Sequence, residues 1–365
     1  MERRQYRRRD YYRKVRRKRR RNILAASAVT LAIAMCVIIY GASSLYQQFF
    51  EPMVAESYDM GVHGENVLDT GTYSESTPDV ETYSESTPNI GADNESVSGI
   101  GIDLSHLYSP YAVLVDLDSG SVLTEHNAQE RIYPASLTKI MTAILAIENT
   151  ADMEEIITIP SDFFDALYVE GASMAGFQPG ERARLKDLLY GILLPSGAEC
   201  CMTFADRIAG SEEAFTGMMN QKAEELGLKN THFCNVTGLH DPDHYSTVED
   251  ISILLQYALK NDYFRAAFTS SRYSTIPSDY HPEGFTFFST MFQYMDSVQV
   301  TGGEILGGKT GYTEEAGQCL ASLAAVGGKE YILVTAKANG SHQTEQFHIL
   351  DAENVYSQIG GQRMP

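Results

Sequence analysis

Residues 134–143 read PASLTKIMTA, a stretch that brings a serine and a lysine together at the start of a predicted helix. Apolar residues recur at helical spacing beyond it, so the helix is predicted over residues 135–148. Ser136 and Lys139 are three positions apart and therefore lie on one helical face. A serine alcohol needs a neighbouring base to act as a nucleophile, and a lysine can be that base if burial lowers its pKa. The stretch predicts a Ser–Lys nucleophile pair, with a capping serine and a solvated lysine as the alternative.

A second motif lies late in the chain, where GGKTGYT occupies residues 307–313 at the edge of a predicted strand. Lys309 supplies a positive charge and Thr310 a hydroxyl donor, while Gly311 lets a substrate backbone approach closely. This trio suits a terminal carboxylate, and its alternative is an ordinary turn after a strand. Between the two motifs, Ser196 lies in a Pro-Ser-Gly loop between two predicted helices, where its side chain can face a cleft.

The order of the predicted elements indicates the fold class. Strands come first, helices occupy the middle and strands return at the end, which predicts one antiparallel sheet built from both ends of the domain. Flanking helices and an inserted helical subdomain complete an α/β fold of the α+β type. The predicted strands are Tyr111–Leu117, Ser121–Glu125, Ile305–Gly311, Gln318–Val326 and Tyr331–Lys337. The further helices are Leu185–Leu194, one that Ser211 caps and that runs to Gly227, and one opened by a capping box at Ser246 and Glu249.

The motifs and their surroundings resemble one known family. S-x-x-K, then a serine, then K-T-G occur in this order in class A β-lactamases and penicillin-binding proteins. The wording around them is similar to the low-molecular-weight penicillin-binding proteins that are serine D-alanyl-D-alanine carboxypeptidases, and the similarity runs from about Ser109 to Lys337. The blocks that carry the resemblance are PASLTKIMTA, GASMAGFQPGE, LKDLLYGILLPSGAE, AEELGLKNTHFCNVTGLHDPDHYST and GGKTGYTEEAGQCLA. The resemblance implies a β-lactamase/transpeptidase-like domain.

The resemblance implies a role for each motif residue. Ser136 is expected to be the nucleophile and Lys139 its general base, while Ser196 assists proton transfer to or from the leaving D-alanine. The terminal carboxylate of the substrate is expected to be held by Lys309 and Thr310. Gly311, the next residue, is expected to lie along the substrate. The backbone N–H groups of Ser136 and Tyr312 would form the oxyanion hole.

The same resemblance implies a substrate and an inhibitor class. The family removes the last D-alanine from peptidoglycan stem peptides through an acyl-enzyme, and β-lactam antibiotics such as penicillins trap that intermediate. It needs neither a cofactor nor a metal, and no metal-binding spacing occurs in the sequence. His240 and His244 lie in a loop that enters a helix, so a structural role is favoured for both.

One residue departs from the family pattern. The middle motif is usually Ser-x-Asn, whereas Ala198 occupies the third position here and is followed by Glu199. The missing amide leaves open a catalytically weak or inactive protein that binds penicillin or the cell wall. A serine β-lactamase is a further alternative, but such an enzyme needs a carboxylate-held water for which no clear equivalent is found.

The net charge of the chain is unevenly distributed. Residues 1–22 contain 13 Lys and Arg against two acidic residues, a balance of +11, although the whole chain has a net charge of −20. Residues 23–41 carry no charge and are long enough to cross a bilayer as a helix. The basic segment therefore predicts a cytoplasmic N-terminus, a single-pass membrane anchor and an extracytoplasmic remainder on the wall side. A cleaved signal peptide is the alternative for the apolar segment, and a nucleic-acid partner is not expected for the basic one.

The rest of the chain divides at about residue 108. Residues 42–108 have no Lys or Arg, are rich in acidic residues and Ser/Thr, and repeat TYSESTP at residues 72–78 and 82–88. Such a composition predicts a disordered stalk. Residues 109–365 are expected to form the carboxypeptidase domain. Its cysteines, Cys200, Cys201, Cys234 and Cys319, allow three pairings or free thiols, and small buried apolar side chains are the favoured interpretation.

Overall fold

An antiparallel sheet with helices on both faces forms the centre of the structure, a computed structural model that describes residues 101–362. The six strands of the sheet have the order β2-β1-β10-β9-β8-β7, and two separate two-stranded sheets pair β3 with β4 and β5 with β6. The strands are β1 Tyr111–Asp116, β2 Val122–His126, β3 Ile156–Thr158, β4 Arg182–Arg184, β5 Arg272–Ser274, β6 Thr286–Phe288, β7 Gln299–Val300, β8 Gly303–Thr313, β9 Gly317–Val326 and β10 Lys329–Ala338.

The helices of the described region lie mostly between the two halves of the sheet in sequence. A 3-10 helix at Ala135–Thr138 continues directly into α1. The α-helices are α1 Lys139–Glu148, α2 Phe164–Glu170, α3 Leu185–Leu193, α4 Ala198–Ala209, α5 Glu212–Glu225, α6 Val248–Ala258, α7 Asp262–Phe268 and α8 Phe347–Gly361.

The central strands are buried on both faces because each face packs against a separate apolar cluster. In β1, Val113 and Val115 point into the larger cluster with the middle helices, whereas Leu114 points into a smaller one with α8. Near-continuous burial of this kind requires the short apolar runs found in β1, β9 and β10. Helix α1 is buried along nearly its whole length, so the residues that begin it are held at the centre of the domain.

The predicted architecture is confirmed for the mixed sheet-and-helix domain. The sheet is antiparallel and is built from both ends of the domain, since β1 pairs with β10 and β10 with β9. The predicted capping box was misplaced by one residue: Thr247, not Ser246, accepts the N–H of Asp250 and begins α6. Ser246 is bonded to Thr231 instead.

Packing against the sheet begins before β1. Ile102 and Leu104 are buried in the cluster with α8, so packing against the sheet begins within the last residues of the predicted stalk segment. The predicted basic segment 1–22, the anchor 23–41 and the stalk up to residue 100 lie outside the described residues. Among residues 101–362, no helix combines the length and apolar character that crossing a membrane requires.

Candidate active site

The 3-10 helix at residues 135–138 presents Ser136 at the meeting point of the sheet edge and the helical region. Ala135 has φ of +46°, an unusual conformation for a residue with a side chain. Two glycines from distant segments hold this turn. A Cβ on Gly311 of β8 would lie 3.0 Å from the Ser136 nitrogen, and one on Gly238 would lie 1.8 Å from the Ala135 carbonyl oxygen. The strained turn is therefore fixed by backbone packing from both sides.

Lys139 lies directly behind Ser136, as the i,i+3 spacing predicts. Its Nζ donates to Ser136 Oγ at 3.0 Å and to the Thr237 carbonyl oxygen at 2.6 Å. Burial lowers the pKa of Lys139, and nearby negative groups, including Glu199, act in the opposite direction. A lysine whose neutral form is favoured in this way can take the proton of the serine alcohol.

Ser196 and Lys309 form a second Ser–Lys contact in the same site. Lys309 Nζ donates to Ser196 Oγ at 3.0 Å and to the Thr310 carbonyl oxygen at 2.7 Å. The Lys309 side chain is completely buried. Burial holds its pKa well below the ordinary value, and the charge of Lys139 acts in the same direction. Ser196 has φ of +66° and lies on the turn between α3 and α4.

These side chains surround one cleft. Ser136, Ser196, Thr310, Gly311 and Tyr312 line it, whereas Lys139 and Lys309 are not among the lining residues and are buried behind it. The structure thus brings all seven predicted site residues to one place. The remaining lining residues are Ser173, Thr290, Tyr294, Gln318, Ser341, His342, Gln346 and His348.

Thr290 is a cleft residue that the sequence motifs did not identify. Its Oγ1 lies 2.6 Å from Thr310 Oγ1, so the two hydroxyls form a polar pair on the cleft surface above Lys309. The backbone N–H of Thr290 donates to the Leu194 carbonyl oxygen, which ties this segment to the end of α3. No local motif marks Thr290, because its position depends on pairing between distant segments.

The turn that follows Phe233 was also missed as part of the site. Asn235 Oδ1 accepts the backbone N–H groups of Thr237 at 3.1 Å and of Gly238 at 2.7 Å. The turn presents the Thr237 carbonyl oxygen to Lys139. This turn could have been predicted from the sequence, because an Asn side chain that accepts the N–H groups two and three residues further along is typical of an Asx turn.

Ala198 and Glu199, the departure noted in the sequence, begin helix α4. Ala198 is completely buried in the larger apolar cluster. Glu199 is buried as well, and its Oε1 accepts the backbone N–H of Gly176 at 2.8 Å. Burial raises the pKa of Glu199, and the backbone N–H groups around residues 175–177 oppose that rise. A carboxyl group therefore lies next to the Ser196 turn, where its charge acts on Lys139.

His240 and His244, the two histidines for which the sequence favours a structural role, contact other protein groups. His244 Nδ1 accepts the Cys234 N–H, and its Nε2 lies 2.8 Å from Thr138 Oγ1, next to the Ser136 turn. Burial lowers the pKa of His244 to about 4. His240 Nδ1 lies 3.8 Å from Glu315. Within residues 101–362 no group of side chains has the arrangement of a metal site.

The cysteines of the described region are all free thiols. Cys200, Cys201 and Cys319 are buried and Cys234 is half-buried. Burial raises the pKa of Cys201 to about 12 and that of Cys319 to about 12. Such thiols behave as small apolar side chains rather than as nucleophiles.

A family description for D-alanyl-D-alanine carboxypeptidases matches residues 102–340 of the chain. The chain is 36% identical over 234 residues to D-alanyl-D-alanine carboxypeptidase DacF of Bacillus subtilis (strain 168), covering 62% of this chain and 57% of DacF. It is 34% identical over 227 residues to DacA of Escherichia coli (strain K12), covering 59% of this chain and 52% of DacA. The chain thus spans little more than half the length of these two relatives.

A solved structure shares the fold. The Streptomyces K15 DD-transpeptidase superposes with a TM-score of 0.62 at 25% sequence identity, covering 69% of this chain and 97% of that one. The agreement extends over almost the whole of that protein.

Proposed function

The chain belongs to the D-alanyl-D-alanine carboxypeptidase family, and on this premise we propose that it removes the terminal D-alanine from peptidoglycan stem peptides through an acyl-enzyme. One observation carries the proposal: the Lys139 amine lies 3.0 Å from Ser136 Oγ, buried and with a lowered pKa, in a cleft that also holds the K-T-G strand. It is the arrangement that an activated serine nucleophile needs.

Acylation would begin with proton transfer from Ser136 to the neutral Lys139 amine. Ser136 Oγ then attacks the carbonyl carbon of the scissile D-alanyl-D-alanine bond and forms a tetrahedral intermediate. The negative oxygen would be bound by the backbone N–H groups of Ser136 and Tyr312, since Gly311 brings β8 alongside the Ser136 nitrogen. Charge stabilisation of this kind is typically the largest single contribution to such catalysis.

The Ser196–Lys309 pair would complete the acylation half-reaction. As the carbon–nitrogen bond breaks, the proton held by Lys139 passes through Ser196 Oγ to the departing D-alanine nitrogen, so that Lys139 is neutral again. Ser196 Oγ is held for this transfer by the Lys309 N–H at 3.0 Å. The ester of Ser136 remains. Water then attacks this ester, Lys139 accepts a proton from the water, and Ser136 leaves as the free alcohol.

Residues of β8 would bind the substrate. We assign the free carboxylate of the terminal D-alanine to the Thr310 hydroxyl, with the Lys309 charge directly behind it and Thr290 beside it. Gly311 and Tyr312 would lie along the substrate backbone, because both line the cleft next to Ser136. β-Lactam antibiotics present a comparable carboxylate and a reactive amide, so they are proposed to acylate the same serine.

The location of the protein is a further part of the proposal. The basic segment 1–22 and the apolar segment 23–41 would hold the chain in the cytoplasmic membrane, with the N-terminus inside. Residues 42–108 would act as a spacer, and the domain would work on the wall side, where peptidoglycan stem peptides are found. Neither a metal nor a cofactor takes part in the proposed reaction.

Mass spectrometry of the full-length protein tests the activity. Penicillin should add one covalent mass on the peptide that contains Ser136, and a D-Ala-D-Ala peptide should release free D-alanine. Ser136→Ala should abolish both while leaving the thermal unfolding temperature nearly unchanged, because a small polar-to-Ala change opens no large cavity. Acylation without release of D-alanine would favour the inactive binding protein, and an adduct on another residue would refute the assignment of the nucleophile.

A further inference from the structure

Glu199 is a buried carboxyl group in the first turn of α4, close to the Ser196 turn. Its side chain is completely buried. Oε1 accepts one backbone N–H, and Oε2 has no hydrogen-bond partner among the described residues. Burying an ionisable group with half of its hydrogen-bonding capacity unused is unfavourable, so such a group is rarely retained without a function.

The carboxyl group joins two segments that meet in the cleft. One is the turn Ser196–Gly197 with the start of α4, and the other is the loop of residues 173–177. Gly176 donates its N–H to Glu199 Oε1 at 2.8 Å, and Ala198 donates its N–H to the Ser173 carbonyl oxygen at 2.8 Å. These two hydrogen bonds act in opposite directions across the same junction, so the loop and the turn are held as one unit.

The loop and the turn are packed too closely for any side chain at position 197. A Cβ on Gly197 would lie 2.6 Å from the Ala175 Cβ and 2.9 Å from the Ala175 nitrogen, closer than real side chains approach. The same point lies 3.0 Å from Glu199 Oε2. Glu199 therefore occupies the junction between the loop and the turn, not an open pocket.

Ser173, at the start of this loop, is exposed at the cleft surface. It lines the cleft together with Ser136, Ser196 and Thr310. Its carbonyl oxygen is fixed by the Ala198 N–H, so its hydroxyl is carried on a backbone that Glu199 orders. Ala198 itself is completely buried and offers the cleft no polar atom.

We propose that Glu199 is a positioning residue that locks residues 173–177 against the Ser196 turn, and that Ser173 on this loop contacts the substrate in place of the side-chain amide absent at Ala198. The inference rests on the proposed carboxypeptidase function and identifies further residues of the same site. Burial of the Glu199 carboxyl group is unfavourable, and its hydrogen bond to the Gly176 N–H, which fixes residues 173–177, offsets part of that cost.

Steady-state kinetics on a D-Ala-D-Ala peptide with the full-length protein test the proposal. Ser173→Ala should lower kcat/KM by about 10- to 100-fold, as expected for a lost hydrogen-bond donor to the reacting peptide. Glu199→Ala should cause a loss of similar size. The double variant should lose no more than the larger single loss, because both changes remove one contact. Glu199→Gln keeps an oxygen for the Gly176 N–H and should recover to within about threefold of the unaltered protein.

Asp351→Ala is the matched control for loss of a buried carboxylate that accepts backbone N–H groups. Asp351 is buried and accepts from Tyr108 and Ser109, on a part of the chain that does not line the cleft. It should lower the unfolding temperature without a comparable loss of kcat/KM. If Glu199→Ala does not fold, Glu199→Asp gives the same test, because its shorter side chain does not reach the Gly176 N–H.

Two results would overturn the proposal while leaving the carboxypeptidase function intact. One is a Ser173→Ala protein whose kcat/KM stays within twofold of the unaltered protein. The other is a double variant whose losses multiply, which would mean that Glu199 acts independently of Ser173. Failure of the unaltered protein to be acylated at Ser136 would instead count against the proposed function itself.

Discussion

The two sides of the cleft are built by different physical means. On the sheet side, Lys309–Tyr312 of β8 are held by antiparallel pairing with β9, in which Lys309 faces Ala321 and Gly311 faces Cys319. On the loop side, residues 173–177, residues 195–199 and the turn at residues 235–239 are held by a few separate hydrogen bonds, several of them from side chains to backbone groups. The sheet side is thus determined by strand register, whereas the loop side depends on individual side chains such as Glu199 and Asn235.

The two sides of the cleft should respond differently to amino-acid substitution. A strand register is supported by many backbone hydrogen bonds at once, so a single side-chain change on β8 should alter chemistry more than structure. On the loop side, removing one acceptor releases a whole segment of backbone. Substitutions on the sheet side should therefore produce large, substrate-specific losses, and those on the loop side smaller losses that come from misplacement.

The largest effect is expected for Lys309→Met, which keeps the length of the side chain but removes its charge and its bond to Ser196. We expect kcat/KM for a free-carboxylate D-Ala-D-Ala peptide to fall by about 10³-fold. The loss should be much smaller for a peptide whose terminal carboxylate is amidated. Equal losses on both peptides would contradict carboxylate binding and would mean that Lys309 acts through Ser196 or through the pKa of Lys139.

A second large effect is expected for Gly311→Ala on the same side. The new Cβ would lie 3.0 Å from the Ser136 nitrogen and 3.2 Å from the Pro134 carbonyl oxygen, so it would push the nucleophile turn away from β8. A displacement of this kind should lower the rate of penicillin acylation by about 100-fold.

Gly217→Ala is the matched control for Gly311→Ala, because a Cβ added to Gly217 in α5 would meet no atom within 4 Å. It should leave acylation unchanged. An unimpaired Gly311→Ala protein would show that close approach of β8 to the Ser136 turn is not needed.

A smaller effect is expected on the loop side for Asn235→Ala. This change removes the acceptor for the Thr237 and Gly238 N–H groups and frees the Thr237 carbonyl oxygen that holds Lys139. We expect kcat/KM for the peptide to fall by about tenfold through misplacement of the lysine amine. Asn235→Asp keeps the acceptor oxygen and should lose less. If the two variants lose the same activity, the turn is not held by this acceptor.

The same contrast explains which features were predictable from the sequence. The i,i+3 spacing of Ser136 and Lys139 and the strand that carries K-T-G are local patterns, and both predictions agree with the structure. Thr290 and the Gly176–Glu199 contact were not predictable, because each joins segments far apart in sequence. The roles assigned to the site residues stay predictions until they are tested by kinetics.

Helix α8 was missed for a related reason. Gln346, the residue before its first turn, makes no side-chain capping bond, and no acidic residue lies in that turn. The helix is stabilised instead by packing against the sheet, through Ile349, Val355 and Tyr356. Packing of this kind leaves no start signal in the sequence, whereas the Ser211 cap of α5 was visible and correct.

The smallest effect on activity, and the clearest one on stability, concerns His244 behind the loop side. Its Nδ1 accepts the Cys234 N–H, which only the neutral ring can do, and burial lowers its pKa from 6.5 to about 4. The folded state therefore binds the proton less readily than the unfolded chain, so stability should fall as the pH drops below about 6.5, and the loss should be complete below about 4. The lost stability would be about 3 kcal/mol at most.

His244→Gln should unfold at a lower temperature at neutral pH but should show a flatter dependence of its unfolding temperature between pH 6.5 and pH 4. His126→Gln, which changes an exposed histidine of β2, serves as the control and should keep the original slope. An unchanged slope in His244→Gln would mean that the acid sensitivity of the domain arises elsewhere.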